Sequence, residues 1–287
     1  LALYGSSKEV TVSKGFLVLA QNTETVDYVK QAYALALSIK KTQETVANIS
    51  LITNDPVPEH YRDVFDSIIE IPWGDLAKNP LWKVENRWKM CYATPYDETI
   101  VLDTDMLFLD DVSHWWKYCS NSDIKFCSRI KNYKDEVVEQ DTAHRKTFIS
   151  NHLSNPYVAL YYFKRSSVFA LEFFKVLEFV IKNWDFCSKK FAPKNLQNWL
   201  SIDLATAIAI DIMGIEDQVL DCEAPLEFVH MKPAIQGWNP VPSSWQNIVP
   251  FSYNDGSMLV GNFKQKYLFH YVEKNFLTDE IIKKLEE

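Results

Sequence analysis

Short, unbroken apolar runs alternate with amphipathic stretches over the first quarter of the chain. Phe16-Leu17-Val18-Leu19-Ala20 is apolar at every position, the pattern of a strand covered on both faces. Residues 26–40 follow with Val29, Ala32, Tyr33, Ala36 and Leu37 spaced to share one face of a helix. Ile49-Ser50-Leu51-Ile52-Thr53 predicts a second strand, which Asn54-Asp55-Pro56 closes. A second helix near 58–65 and a short strand over 67–71 continue the alternation. Strand–helix–strand–helix–strand predicts an open, largely parallel α/β sheet.

Farther along, residues 82–94 have helical spacing and stop before Pro95. Glu98-Thr99-Ile100-Val101-Leu102 then predicts a buried strand that runs directly into Asp103-Thr104-Asp105. In open α/β sheets, ligand sites lie beyond the carboxyl ends of strands. A strand is expected over 124–128. Residues 131–146, inside an insertion of about 129–155, are highly charged with little periodicity and read as a solvent-facing or mobile loop. A strand over 157–163 and helices over 168–183 and 202–213 follow. Beyond Gly214, Pro225, Pro233, Pro240, Pro242 and Pro250 break the chain into strands and loops, before a last strand over 267–272 and a terminal helix. The expected architecture is one α/β domain over 1–287. Helices flank an open, mostly parallel sheet, with a charged insertion and a loop-rich C-terminal part.

Composition narrows the chemistry. The 287 residues are 47% hydrophobic and 24% charged, as in ordinary globular proteins. A formal net charge of −8 excludes a global basic field for gripping a polyanion. The five cysteines, Cys91, Cys119, Cys127, Cys187 and Cys222, are odd in number and lack C-x-x-C spacing. They read as reduced thiols, not a disulfide framework or a zinc site. No apolar stretch has membrane-spanning length, and the first residues lack a signal-peptide pattern, so cytoplasmic residence is expected. None of the seven glycines forms G-x-G-x-x-G or a P-loop. A bound diphosphate would need another source of positive charge, and a metal ion is the obvious one.

Asp103 and Asp105 are the sharpest candidates for holding it. Two carboxylates one residue apart at a strand end can turn toward one hard cation, Mn²⁺ or Mg²⁺, which in turn bridges phosphate oxygens. The alternative is an exposed turn capped by two aspartates. Repulsion between the acids predicts that removing one stabilises the metal-free protein. Two histidines compete for a third ligand position. His270 lies in Leu268-Phe269-His270-Tyr271 with Lys274 after it, and His230 lies in Phe228-Val229-His230-Met231-Lys232-Pro233. His270 is favoured. Arg87 and Lys89 precede the acids on a predicted helix. Two residues apart, they cannot share a face, so one of them is expected to reach the site. Trp238, Trp245 and Tyr253 could cover sugar faces, although packing is the usual role of such side chains.

The order of elements from about Phe16 to Tyr271 resembles the GT-A glycosyltransferases. The specific patches are the opening strand and helix, Leu102-Asp103-Thr104-Asp105 and Phe269-His270-Tyr271. Within that group it is most similar to the glycogenin-like enzymes and the bacterial lipopolysaccharide galactosyl- and glucosyltransferases. The resemblance implies that Asp103, Asp105 and His270 hold Mn²⁺ or Mg²⁺, which holds the diphosphate of a UDP-sugar. Lys274 could reach the diphosphate, as Lys232 could beside His230, although the family's basic residue usually comes slightly later, and the resemblance implies Arg87 or Lys89 as a basic residue on the donor. Asn155 stands for the asparagine of an F-N-x-G-type segment, with Pro156 and Tyr157 departing from that pattern. Asp203 stands for an acid near the reacting carbon, with Leu204 where the family has glutamine.

The implied reaction moves a hexose from UDP-glucose or UDP-galactose to an acceptor hydroxyl, with retention by front-face attack. Residues of about 14–128 would bind the nucleotide, and those of about 150–275 would meet the acceptor and complete the metal site. The acceptor, whether glycan, lipid-linked sugar, protein or nucleic acid, has no motif. A sugar-nucleotide pyrophosphorylase is disfavoured, because Ala20-Gln21-Asn22-Thr23-Glu24 is not a glycine- and arginine-rich loop. A noncatalytic sugar- or nucleotide-binding protein on the same fold stays open.

Overall fold

The structure, a computed structural model, describes residues 13–81, 83–138, 145–197, 199–221, 223–232, 245–254 and 256–287. Strand β1 (Lys14–Leu19), helix α1 (Tyr28–Thr42), β2 (Ile49–Ile52), the short α2 (Glu59–Arg62) and β3 (Ser67–Ile69) form the opening alternation. Next come α3 (Met90–Ala93), β4 (Glu98–Leu102), β5 (Met106–Phe108), α4 (Ser113–Cys119), β6 (Ile124–Cys127) and β7 (Arg129–Lys131). The middle comprises α5 (Lys146–Ser150), β8 (Tyr157–Lys164), α6 (Val168–Lys182), α7 (Trp184–Phe191), α8 (Ile202–Met213) and α9 (Glu216–Val219). Strands β9 (Glu227–His230), β10 (Phe251–Asn254), β11 (Ser257–Val260), β12 (Phe263–Lys264) and β13 (Leu268–His270) precede α10 (Asp279–Glu286).

The main sheet has the order β3-β2-β1-β4-β8-β6. Strands β3, β2, β1 and β4 are parallel, and β8 is antiparallel to both of its neighbours. This is the open, mostly parallel sheet that the apolar runs predict. Alternate side chains explain why those runs are unbroken. Phe16, Val18, Ile100 and Leu102 join Val29, Ala32 and Ala36 of α1 in one core. Leu17, Leu19 and Val101 join Phe173 of α6 and Ile208 of α8 in another. Burying each such large side chain contributes about 1.5–3 kcal/mol. Gly15 serves close packing, since a Cβ there would meet the Tyr96 ring at 2.4 Å.

Helix α1 is capped by Asp27, whose side chain accepts the Lys30 N–H at 2.9 Å, and Lys40 and Lys41 lie in its last turn. It is not the simple amphipathic helix expected. Ala34, Leu35 and Ile39 are buried as well, while Leu37 is only half-buried. The cause is a second covering surface. Ser38 Oγ accepts the Phe108 N–H of β5 at 3.0 Å, and Tyr33 donates to Glu286 of α10 at 3.0 Å.

A second sheet, β5-β13-β9-β7, and a third, β10-β11-β12, were not separable in the C-terminal pattern. The helix expected over 82–94 shrinks to a 3₁₀ turn at Arg87–Lys89 followed by α3. Before it, Asn86 Nδ2 donates to Gln21 and to Asp75, at 3.2 and 2.6 Å, and these bonds hold the chain in a turn. Trp82 lies outside the described residues. The charged stretch 131–146 also departs from expectation. Lys131 ends a strand, and Arg145 is 1% exposed. Residues 139–144 lie outside the described residues. Among the described residues no helix is long and apolar enough to cross a membrane. Cys91, Cys119, Cys127 and Cys187 are buried free thiols, and Cys222 lies outside the described residues.

Candidate metal centre and its surroundings

The chain passes from β4 of the main sheet to β5 of the second sheet through Asp103-Thr104-Asp105. The Asp103 N–H donates to the Ala159 carbonyl of β8 at 3.0 Å, and the Asp105 carbonyl accepts the Tyr271 N–H at 3.1 Å. The two acids therefore sit on the seam between sheets, at the carboxyl end of β4. Strand β13 pairs antiparallel with β5, with His270 opposite Met106. That register sets the His270 imidazole beside Asp105, with Nε2 2.9 Å from Oδ2. One ligand atom each from Asp103, Asp105 and His270 lies within 4.8 Å of the others.

His230 is one strand farther away. Strand β9 runs parallel to β13 with His230 beside His270, and the two rings stack at 4.6 Å and 12°. His230 backs the His270 ring and is not in the group with the acids. His270→Ala is expected to weaken Mn²⁺ binding about 100-fold, and His230→Ala less than about tenfold. Titration calorimetry of variants with equal melting temperatures checks this, and the opposite order would reverse the ligand assignment.

Cations occupy both acids. Lys274 Nζ lies 2.5 Å from Asp105 Oδ2, and Arg87 Nη2 lies 2.5 Å from Asp103 Oδ1. Burial by itself raises the Asp105 carboxyl. The adjacent His270 and Lys274 charges outweigh it and hold the group well below the usual carboxylate range. Burial likewise pulls Lys274 and Arg87 down, and the neighbouring acids leave both raised. Each acid thus has a cationic partner, which opposes the acid–acid repulsion expected from their spacing alone.

Of the two basic residues upstream, Arg87 reaches the acids and Lys89 does not. Lys89 Nζ donates to the Gly74 carbonyl and lies 5.7 Å from the Trp88 ring. Asp203, in the first turn of α8, accepts the Val158 N–H at Oδ1 (3.0 Å) and pairs through Oδ2 with Arg145 Nη2 (2.8 Å). It is thus tied to β8 next to Ala159, the anchor of Asp103. The Arg145 guanidinium stacks 3.8 Å from the Tyr157 ring centroid and donates to the Pro156 carbonyl at 3.2 Å. Lys232 belongs to this second cluster. Burial and Arg145 lower its pKa, and Asp203 opposes them. Asn155 is 7% exposed, and neither side-chain atom has a partner. An amide buried in that state costs about 1–3 kcal/mol.

Sequence reasoning missed Arg145, which is hidden in a charged stretch without periodicity. It also missed Tyr28, whose ring lies 5.3 Å from Lys274 Nζ and whose hydroxyl pKa is raised by burial. Tyr28 was legible in principle as the first residue after the Asp27 cap, where α1 meets the carboxyl edge of the sheet. Trp245 and Tyr253 are buried and belong to the core, with the Trp245 Nε1–H donating to the Tyr271 carbonyl at 3.0 Å. Trp238 lies outside the described residues.

No protein-family model and no curated protein sequence matches the chain. Solved structures do. The galactosyltransferase LgtC in complex with donor and acceptor sugar analogues is 12% identical at a TM-score of 0.55, over 94% of each chain. The apo form of mouse xyloside xylosyltransferase 1 is 10% identical at a TM-score of 0.51, over 90% of this chain and 97% of that one. The apo form of the glycosyltransferase GlyE of Streptococcus pneumoniae TIGR4 has a TM-score of 0.39 and 12% identity over 74% of this chain, which spans 45% of GlyE. The first two likenesses show a shared fold, the GT-A fold.

Proposed function

We propose that the chain transfers a hexose from UDP-glucose or UDP-galactose to an acceptor hydroxyl, with Mn²⁺ or Mg²⁺ held by Asp103, Asp105 and His270. The observation that carries this reading is the convergence of those three ligand atoms within 4.8 Å at the end of β4 in a GT-A fold. Two hard carboxylates and one imidazole, closely grouped and backed by buried strands, fit such a cation. When bound, the cation supplies Lewis-acid charge to the departing diphosphate.

The chain's own residues do the rest. Lys274 and Arg87, which rest on the two acids, are in reach to share their charge with the diphosphate. The Asn155 amide, buried without partners, is suited to the hydroxyls of the donor sugar. Transfer breaks the bond from C1 to the diphosphate oxygen and forms a bond from C1 to the acceptor oxygen. The acceptor proton leaves with the diphosphate. Both carboxylate oxygens of Asp203 are engaged by Val158 and Arg145, which supports front-face retention without a protein nucleophile. Lys89, bound to Gly74, takes no part in this scheme. Residues of about 14–128 would serve the nucleotide and carry Asp103 and Asp105, and those of about 150–275 would meet the acceptor and complete the metal site with His270. Buried, unpaired thiols fit a reducing cytoplasm.

UDP is expected to bind at least about tenfold more tightly with Mn²⁺ than with EDTA, because a diphosphate among carboxylates needs a bridging cation. Calorimetry in the two conditions measures this. Equal affinities would end the metal role, and slow hydrolysis of UDP-glucose or UDP-galactose without acceptor distinguishes an enzyme from a noncatalytic binder.

A further inference from the structure

The turn after β3 carries Trp73, 68% exposed, the most exposed large hydrophobic after Val168 among the described residues. Its φ is +58°, in the left-handed region that a bulky side chain occupies only at a cost, and Gly74 follows at +80°. Backbone strain of this kind persists where the surroundings enforce it. Here the indole stacks flat on buried Trp88, with centroids 5.7 Å apart and planes 9° apart, and meets Tyr92 edge-on at 5.1 Å. The exposed ring borders an open cleft of about 510 Å³ lined by Asn54, Glu70, Ile71, Pro72, Trp73 and Gly74. The cleft lies at the carboxyl ends of β2 and β3, on the sheet edge that carries Asp103. The turn is also bonded to the segment that carries Arg87. The Gly74 carbonyl accepts from Lys89, and Asp75 Oδ1 accepts from Asn86 Nδ2 at 2.6 Å.

We propose that Trp73 and this cleft form a subsite for a neutral saccharide, the ring of the acceptor, so that the acceptor also meets the part of the chain that serves the nucleotide; the assignment rests on the transfer reading above. A fixed, exposed indole face suits the C–H face of a pyranose and demands little ordering when it binds. The rim supplies both kinds of hydrogen-bonding group. Asn54 Oδ1 already accepts the Ile71 N–H at 2.9 Å, which leaves the Asn54 amide as a donor, and Glu70 is an acceptor for hydroxyls. The Glu70 charge disfavours a phosphate or an anionic lipid at the same place.

The test titrates the UDP- and Mn²⁺-loaded protein with lactose, maltotetraose, cellotetraose and xylotetraose, read by calorimetry. At least one saccharide is expected to bind. Trp73→Ala should weaken it about tenfold, Trp73→Phe should keep most of the affinity, and UDP affinity should stay within about twofold. Binding of none of the four, or an undiminished affinity in Trp73→Ala, overturns the assignment. A loss of UDP affinity in Trp73→Ala would make the ring a nucleotide platform, and Trp73-dependent attachment to phosphatidylglycerol vesicles would make it a membrane contact. Either result overturns it as well. The saccharide titration is repeated without nucleotide, so that failure of the donor reading, seen as absent UDP binding, is distinguished from failure of the subsite.

Discussion

Asp105→Asn is expected to abolish Mn²⁺-dependent UDP binding and also to lower the melting temperature of the metal-free protein. The first effect follows from the loss of a hard anionic ligand. The second follows from what surrounds the carboxylate. Asp105 is 5% exposed and is shared by His270 and Lys274, so neutralising it leaves the half-buried Lys274 ammonium without its counter-charge and the buried His270 ring without its carboxylate partner. Breaking a buried pair from one side costs about 3 kcal/mol, taken at the low end because Lys274 keeps some contact with water. In a chain of this size that is about 5–10 °C in melting temperature. The folded-state pKa of Asp105 lies below the ordinary carboxylate range. Its contribution is therefore complete at neutral pH and fades as pH falls below that range, and the gap between wild type and variant should close in acid. Thermal melts in EDTA from neutral to acid pH measure both effects. A higher melting temperature in the variant would mean that repulsion between the acids dominates after all.

Asp203→Asn should cost a comparable amount, about 3 kcal/mol, for a different reason. Arg145 is 1% exposed and packed on Tyr157, so its charge cannot escape to water when the carboxylate is lost. Asp203 also accepts the Val158 N–H, which ties α8 to β8. The double variant Arg145→Met/Asp203→Asn should recover more than half of the loss, since an apolar chain of similar length fills the space without a buried charge. Urea unfolding gives these values, and Mn²⁺ affinity should stay within about twofold because none of the three metal candidates is touched. A variant Asp203→Asn that kept full stability while losing donor turnover would make Asp203 a reacting group instead of an anchor.

These two acids show how differently a site can be read in advance. Asp103 and Asp105 were legible because an unbroken apolar strand delivers them to the carboxyl edge of the sheet. That signal is carried by neighbouring residues. The environment of Asp203 was not legible, because its partner Arg145 stands in a stretch whose charges suggest solvent. A charged side chain is buried only when a counter-charge and a packing surface arrive from elsewhere, and neither leaves a trace in local sequence.

The same distinction runs through the whole chain. Apolar runs of strand length and the helical spacing of residues 202–213 determined that strands and helices alternate. Ser201 and Gly214 marked the ends of α8 through a side-chain cap and a left-handed turn, both of them local bonds. Tertiary structure alone decided what stands beside the two acids. His270 and His230 both lie in apolar strands with a lysine not far beyond, and only the family resemblance of Phe269-His270-Tyr271 favoured His270 in advance. The pairing of β13 with β5, short strands brought together from far along the chain, places His270 against Asp105 and leaves His230 one strand behind. Lys274 reaches the same carboxylate from 169 residues away. Register is fixed by which face of each strand is buried, so for strands brought together from far along the chain it is settled only when the sheets pack together.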